Sequence, residues 1–130
     1  MDEYLKSIDL KVKEHIIFTG FIDDEDLADV YGYARFFVYP SMYEGFGMPP
    51  LEAIACGTPV ISSDAGSLKE VLEESAVLFQ SQNVDELKRA IIHMNNMDSK
   101  NIQEYINKGK EQLLKYSWQK EASKLYKFLT

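Results

Sequence analysis

The sequence predicts an α/β fold, in which a partial parallel sheet of about four strands is flanked by helices and followed by a helical C-terminal region. The predicted strands are short apolar runs rich in β-branched and aromatic residues, at His15–Phe21, Arg35–Pro40, Pro59–Ser63 and Ala76–Phe79. Helical patterns separate these runs, and only helical patterns follow the last one. Such alternation favours parallel pairing with right-handed crossovers.

The first three apolar runs are nearly continuous. The stretches "HIIFTGF", "RFFVYP" and "PVISS" do not alternate apolar with polar residues. Because helices cover both faces of a parallel sheet, its strands are apolar on both sides. The runs therefore predict strands that are buried on both faces.

Three helices are predicted between the strands. The stretch "DDEDLADVYGYA" begins with acidic residues and then repeats apolar residues at helical spacing. The stretch "PLEAIACG" places Leu51, Ile54 and Ala55 on one face and ends at Gly57, which suits a C-terminal cap. The stretch "SLKEVLEE" predicts a short third helix.

The C-terminal region is predicted to be helical throughout. An amphipathic helix begins at a capping Asn83 or Asp85. One or two further helices follow, with a break near Gly109 or Ser117. The last of them carries an apolar stripe at helical spacing, formed by Trp118, Ala122, Leu125 and Leu129. Since no linker or repeat interrupts the chain, residues 1–130 are predicted to form one domain.

Composition narrows the classes of function. The chain has 14 basic and 21 acidic residues and a net charge of −7, which argues against a nucleic-acid surface or an anionic-membrane surface. No apolar run approaches the roughly 20 residues of a transmembrane helix. The N-terminus, "MDEYLKSIDL", lacks the basic start and apolar run of a signal peptide. A cytoplasmic location is therefore expected.

The stretch "EGFGMPPLE" places Glu44 and Glu52 on either side of a glycine turn, with seven residues between them. The turn follows a predicted strand, and open α/β sheets bind ligands beyond the carboxyl ends of their strands. Gly45 is able to adopt a positive φ, and Gly47 lets a ligand approach the backbone. With Pro49 or Pro50 at the first helical position, the N–H groups of residues 47–51 are expected to form an anion site.

The two acids fit several kinds of site. Glu52, in the first turn of the predicted helix, is suited to a vicinal diol such as that of ribose, and Glu44 to the hydroxyls of a second sugar. A glycosidase acid pair is disfavoured, because a helix N-terminus keeps an acid ionised. A metal site would need more ligands, and His15 and His93 lie elsewhere in the sequence. An ordinary solvated acid at a helix start remains the simplest alternative for Glu52.

The stretch "PSMYEGFGMPPLEAIACGTPVISSDAGSLKEV" closely resembles the signature of the retaining, nucleotide-sugar-dependent glycosyltransferases of family 4, also called group 1. Glu44, Gly45, Phe46, Gly47 and Glu52 match its hallmark, and the resemblance covers residues 10–130. It implies the GT-B architecture, in which two Rossmann-like domains face a cleft and the C-terminal one holds the sugar donor. Residues 1–130 would be a partial Rossmann-like domain of that kind, with a nucleotide-sugar site.

The resemblance also implies roles for single residues. Glu44 would be the catalytic residue, at the transferred sugar, and Glu52 would hold the ribose hydroxyls. The implied donor-binding residues are Glu44, Gly45, Phe46, Gly47, Met48 and Glu52, with Gly20, Phe21 and Ile22 along the base. No metal or other cofactor is implied. The acceptor would be a glycan or lipid on the other domain, and the full-length enzyme could lie at a membrane surface.

In the family's domain, two further strands precede the one that matches residues 15–21, and they carry basic residues that bind the diphosphate. We therefore expect this chain to bind nucleotide sugar and to be inactive alone. A non-catalytic fragment or partner subunit is the alternative, and a nucleotide-sugar 2-epimerase is disfavoured by the full motif. Without those strands, the strand at residues 15–21 would pair beside residues 36–39 or with a second chain, and we favour association of two chains.

Overall fold

The computed structural model describes residues 8–116 and Tyr126. Three strands are present in the described part: β1 (Phe37–Tyr39), β2 (Val60–Ser63) and β3 (Ala76–Phe79). The helices are α1 (Leu10–Lys13), α2 (Asp24–Tyr33), α3 (Met48–Ala55), α4 (Leu68–Leu72), α5 (Val84–Asn95) and α6 (Ser99–Leu113), and a 3₁₀ turn covers Glu73–Ser75. The predicted α/β class is confirmed. The predicted break at Ser117 and the apolar stripe from Trp118 to Leu129 lie outside the described residues.

The sheet is parallel, with the order β1-β2-β3. Every residue of the central strand β2 is buried, as its continuous apolar run predicted. Ile61 of β2 pairs with Val38 on one side and with Val77 on the other. Because all strands run in one direction, the ends of β1 and β2, at Tyr39 and Ser63, meet at the same edge.

Two apolar clusters cover the two faces of the sheet. On one face, Leu51 and Ile54 of α3 pack with Leu68 and Leu72 of α4. On the other face, Ile61 and Phe79 of the sheet pack with Ala90 and Met94 of α5. Burying each large apolar side chain, rather than leaving it exposed to water, contributes about 1.5–3 kcal/mol to the free energy of unfolding. The sheet is thereby fixed between helices, with its carboxyl edge open.

The predicted strand at residues 15–21 is wrong. This segment is irregular and exposed, with 85% of Ile17 and 89% of Phe21 accessible. A strand requires a neighbour for its N–H and C=O groups, and β1 has β2 as its only neighbour among the described residues. The sheet there has three strands rather than about four. Within the described residues this segment does not pair beside β1, and association of two chains stays a prediction.

The predicted break at Gly109 is also wrong, since α6 continues through it to Leu113. Gly109 is buried against α3, and a Cβ built on it would lie 2.7 Å from Cγ2 of Ile54. The glycine therefore permits the close approach of two helices. In a sequence, a glycine that ends a helix cannot be distinguished from a glycine that permits close packing of two helices.

Gly109→Ala is expected to lower the free energy of unfolding by about 1 kcal/mol, because overpacking costs about 1–3 kcal/mol and the gain in helix propensity offsets roughly 1 kcal/mol of it. Urea denaturation measures the change. Lys110→Ala, at an exposed position of the same helix, is the control and should have almost no effect. A Gly109→Ala chain as stable as the parent would contradict the helix contact.

Candidate functional site

The glycine turn lies at the open edge of the sheet, between β1 and α3. The hydroxyl of Ser63, at the end of β2, donates to the carbonyl of Ser41 at 2.5 Å. The hydroxyl of Ser67 donates to the carbonyl of Gly45 at 2.8 Å. The loop that carries Glu44 is therefore tied to both the sheet and the loop that follows β2.

Gly66, in the loop after β2, lies against the backbone of Glu44. Its φ is +57°, and a Cβ built on it would lie 2.5 Å from the carbonyl oxygen of Glu44. Only glycine fits there without moving one of the two loops. The position of Glu44 thus depends on a residue that is more than twenty positions away and lies outside the motif of residues 44–52.

The two glycines of the turn differ from the prediction. Gly47 has the positive φ, +89°, whereas Gly45 does not. A Cβ on Gly47 would overlap the side chain of Leu68, so packing fills the space beside its Cα. Gly45 is exposed and has no atom within 4 Å of a built Cβ. Of the two, Gly45 offers the open backbone.

Helix α3 begins earlier than predicted, at Met48, with Gly47 as its N-cap. Pro49 and Pro50 are then the second and third helical residues, and proline has no N–H. Met48 alone supplies an N–H among the first three helical positions, so the anion site has fewer donors than predicted. Glu52 is the fifth helical residue, so the prediction that it lies in the first turn, where the helix dipole acts on an acid, is wrong.

The Glu44 carboxylate is oriented by two hydroxyls. Tyr39 and Ser41 both donate to its Oε1, the latter at 2.9 Å. These bonds, first that of Tyr39, lower the pKa of Glu44, and the bond to Glu44 raises the pKa of Tyr39 to about 12. In the part of the chain that the structure describes, no side chain donates to Oε2 of the partly exposed Glu44.

The Glu52 carboxylate has a tyrosine partner too. The hydroxyl of Tyr31, on α2, donates to its Oε2 at 3.3 Å. The carbonyl of Tyr31 accepts from the hydroxyl of Thr58 at 2.6 Å, which ties α2 to the segment after α3. Burial, followed by the charge of Glu52, raises the pKa of Tyr31.

The sequence analysis did not identify the contacts of Tyr31 and Tyr39 with the two acids. Phe37 connects them, with ring centroids 5.2 Å from Tyr31 and 5.9 Å from Tyr39. All three rings pack against the cluster of α3 and α4. A buried tyrosine needs a partner for its hydroxyl, and that need is the signal that could have drawn attention to them.

Phe46 packs against the segment that follows α6. Its ring meets that of Tyr116 edge to face, with centroids 5.2 Å apart. The hydroxyl of Tyr116 and the amide of Gln112 both donate to the carbonyl of Val71. The Phe46 side chain is 41% exposed, so one side of it faces solvent beside the turn.

Gly20, Phe21 and Ile22, predicted to line a base, lie in the irregular segment before α2. No hydrogen bond or ring contact within the described ranges joins them to the glycine turn. Across residues 8–116 and Tyr126, no cluster of three or more His, Cys, Asp or Glu could hold a metal ion. None of the helices described there is both long and apolar enough to cross a membrane.

Comparisons with known proteins agree on one family. The family model described as glycosyl transferases group 1 matches residues 2–126. An uncharacterized glycosyltransferase of Methanocaldococcus jannaschii is 34% identical over 98% of this chain and 34% of its own. The O-antigen chain mannosyltransferase B of Escherichia coli is 44% identical over 65% of this chain and 22% of its own.

A solved structure agrees with the fold. Sucrose-phosphate synthase from Thermosynechococcus elongatus superposes with a TM-score of 0.80 at 34% identity, over 92% of this chain and 31% of that chain. The chain therefore spans about a fifth to a third of the length of these proteins.

Proposed function

Because this chain belongs to the family of glycosyl transferases group 1, we propose that it holds the nucleotide sugar donor for transfer of a hexose to a glycan or lipid. One observation carries the proposal. At the open edge of the sheet, Glu44 and Glu52 each have a single oxygen fixed by a tyrosine hydroxyl, within the motif that matches the family. The other oxygens are suited to accept from sugar hydroxyls.

Glu52 accepts from the ribose hydroxyls in this proposal, and Glu44 accepts from the transferred sugar and acts as the catalytic residue. The backbone from Gly45 to Met48 passes beneath the sugar and diphosphate. The exposed Gly45 and the N–H of Met48 support this placement. Residues 20–22 lie along the base. Mannose is the first candidate for the sugar, because one relative is named as a mannosyltransferase.

Transfer would retain the configuration of the sugar and would need no metal. The relatives extend well beyond the part that this chain matches. For that reason we propose that the 130-residue chain binds the donor but does not turn it over. The same observation favours a second candidate function, a subunit or fragment that only binds nucleotide sugar.

Calorimetry with GDP-mannose and UDP-glucose tests the proposal. We expect the 130-residue chain to bind at least one of them, with the same affinity in EDTA as in Mg²⁺. Chromatography of the incubated donor should show no transfer to an oligosaccharide acceptor. Binding that disappears in EDTA would contradict metal independence, transfer by this chain would contradict its inactivity, and binding of neither donor would contradict the proposed function.

A further inference from the structure

We propose that Tyr31, Phe37 and Tyr39 act together as positioning residues for the two acids of the site. We call these three residues the aromatic row. Each of its two tyrosines fixes one carboxylate oxygen, so that the other oxygen of the same acid faces the ligand. The part about the ligand rests on the proposed function, whereas the part about the acids stands on the geometry of the chain.

The first contact fixes the direction of Glu44. Its Oε1 accepts from both Tyr39 and Ser41, and these two donors occupy the lone pairs that Oε1 has available. Oε2 receives no side-chain donor from the described residues. A sugar hydroxyl would therefore bind at Oε2, in a direction set by the tyrosine.

The second contact does the same for Glu52. Its Oε2 accepts from Tyr31, whose own backbone is held by Thr58. A carboxylate can accept about four hydrogen bonds, so one tyrosine leaves capacity for both hydroxyls of a ribose. Tyr31 would limit the rotation of the Glu52 side chain without blocking its ligand.

Phe37 joins the two contacts into one unit. Its ring is perpendicular to that of Tyr31 and nearly parallel to that of Tyr39, with interplanar angles of 88° and 27°. Both arrangements are favourable for aromatic pairs at these distances. Since the three rings also pack on the buried cluster of α3 and α4, they fix the two acids relative to one another as well as singly.

Among the groups near the aromatic row, the Tyr39 hydroxyl has the largest effect on the pKa of Glu44. The titratable groups acting on Tyr39 are Glu44, Tyr31 and Glu52, and among the described residues no Lys, Arg or His forms an ion pair with Glu44. The Tyr39 hydroxyl is the first cause that lowers the pKa of Glu44. Its removal should therefore raise that pKa, and the carboxylate should protonate at a higher pH.

The test compares Tyr39→Phe and Tyr31→Phe with Tyr33→Phe. Phenylalanine keeps the ring and removes only the hydroxyl, so packing is preserved. Tyr33 is 90% exposed and serves as the matched control. Two measurements are made on the 130-residue chain: a ¹³C NMR titration of the Glu44 carboxyl without ligand, and calorimetry with GDP, GDP-mannose and 2′,3′-dideoxy-GDP.

Tyr39→Phe should raise the pKa of Glu44. It should also weaken the binding of GDP-mannose about 2- to 12-fold, which is the effect of one hydrogen bond, and leave the affinity for GDP unchanged. Tyr31→Phe should weaken the binding of GDP and of GDP-mannose by the same factor and leave the affinity for 2′,3′-dideoxy-GDP unchanged. If the tyrosines had a purely structural role, the binding of all three ligands would weaken together.

An unchanged pKa of Glu44 in Tyr39→Phe would overturn the positioning role of Tyr39, whatever the ligand results. Equal losses for GDP and its dideoxy analogue in Tyr31→Phe would overturn that of Tyr31. Effects of similar size in Tyr33→Phe would overturn both. If the parent chain binds neither these nucleotides nor UDP-glucose, the proposed function fails, and a raised pKa of Glu44 in Tyr39→Phe would still support the contact between Tyr39 and Glu44.

Discussion

Gly66→Ala is expected to lower the free energy of unfolding by about 2–5 kcal/mol. The residue has a φ of +57°, and the left-handed conformation costs a residue with a Cβ about 1–2 kcal/mol. The new Cβ would also lie 2.5 Å from the carbonyl oxygen of Glu44, which cannot rotate away as a side chain would. Overpacking of this kind adds about 1–3 kcal/mol. Urea denaturation monitored by circular dichroism measures the loss.

Gly57→Ala is the matched control for this substitution. Gly57 also has a positive φ, +81°, but no atom lies within 4 Å of its built Cβ. Its alanine variant should lose only the conformational part, about 1–2 kcal/mol. Equal losses in the two variants would show that the contact between Gly66 and Glu44 does not hold the site loop in place.

Glu52→Gln is expected to weaken the binding of nucleoside diphosphates about 10- to 100-fold. Hydrogen bonds to a charged acceptor contribute about 1.5–3 kcal/mol, and the amide of glutamine cannot replace a carboxylate that accepts from two hydroxyls. The side chain keeps its size, so the packing of α3 should be preserved. Calorimetry with GDP or UDP, whichever the parent chain binds, measures the effect.

Glu70→Gln removes an exposed acid from α4 and should leave the affinity unchanged. The ligand offers a second control, because a 2′,3′-dideoxy nucleotide has no diol. We expect it to bind the parent chain weakly and to be insensitive to Glu52→Gln. A loss that is equally large for the dideoxy nucleotide would mean that Glu52 acts on the fold of the loop rather than on the ribose.

Features of the fold with local signals could be predicted from the sequence. The runs at β2 and β3 became strands, and Gly57 caps α3 by donating its N–H to the carbonyl of Ile54. Asn83 caps α5, with its side chain accepting from the N–H of Glu86. Each of these depends on residues a few positions apart, which a sequence displays directly.

Features that depend on distant residues could not be predicted. The run at residues 15–21 has the composition of a strand, but its state depends on a hydrogen-bonding neighbour. Gly109 resembled a helix break because its partner, Ile54, is fifty-five positions away. The tyrosine contacts of Glu44 and Glu52 were missed for a similar reason, since the row needs α2, β1 and α3 in place.

The start of α3 shows a subtler limit. Proline is favoured in the first turn of a helix, but with two consecutive prolines the sequence does not fix which helical position each one takes. The structure places the start at Met48, which moves Glu52 beyond the first turn. The orientation of Glu52 thus depends on Tyr31 rather than on a place in the first turn of the helix.

An NMR titration of the ¹⁵N-labelled chain with GDP, UDP and their sugars tests the assignment of the glycine turn as a nucleotide-sugar site. Saturable shifts are expected for the amides from Glu44 to Met48 and for those of Leu51 and Glu52. Amides on the far face of the sheet, such as Lys88 and Ile92 of α5, should be unchanged. If none of the nucleotides shifts the amides of residues 44–52, the glycine turn is not a nucleotide-sugar site in this chain.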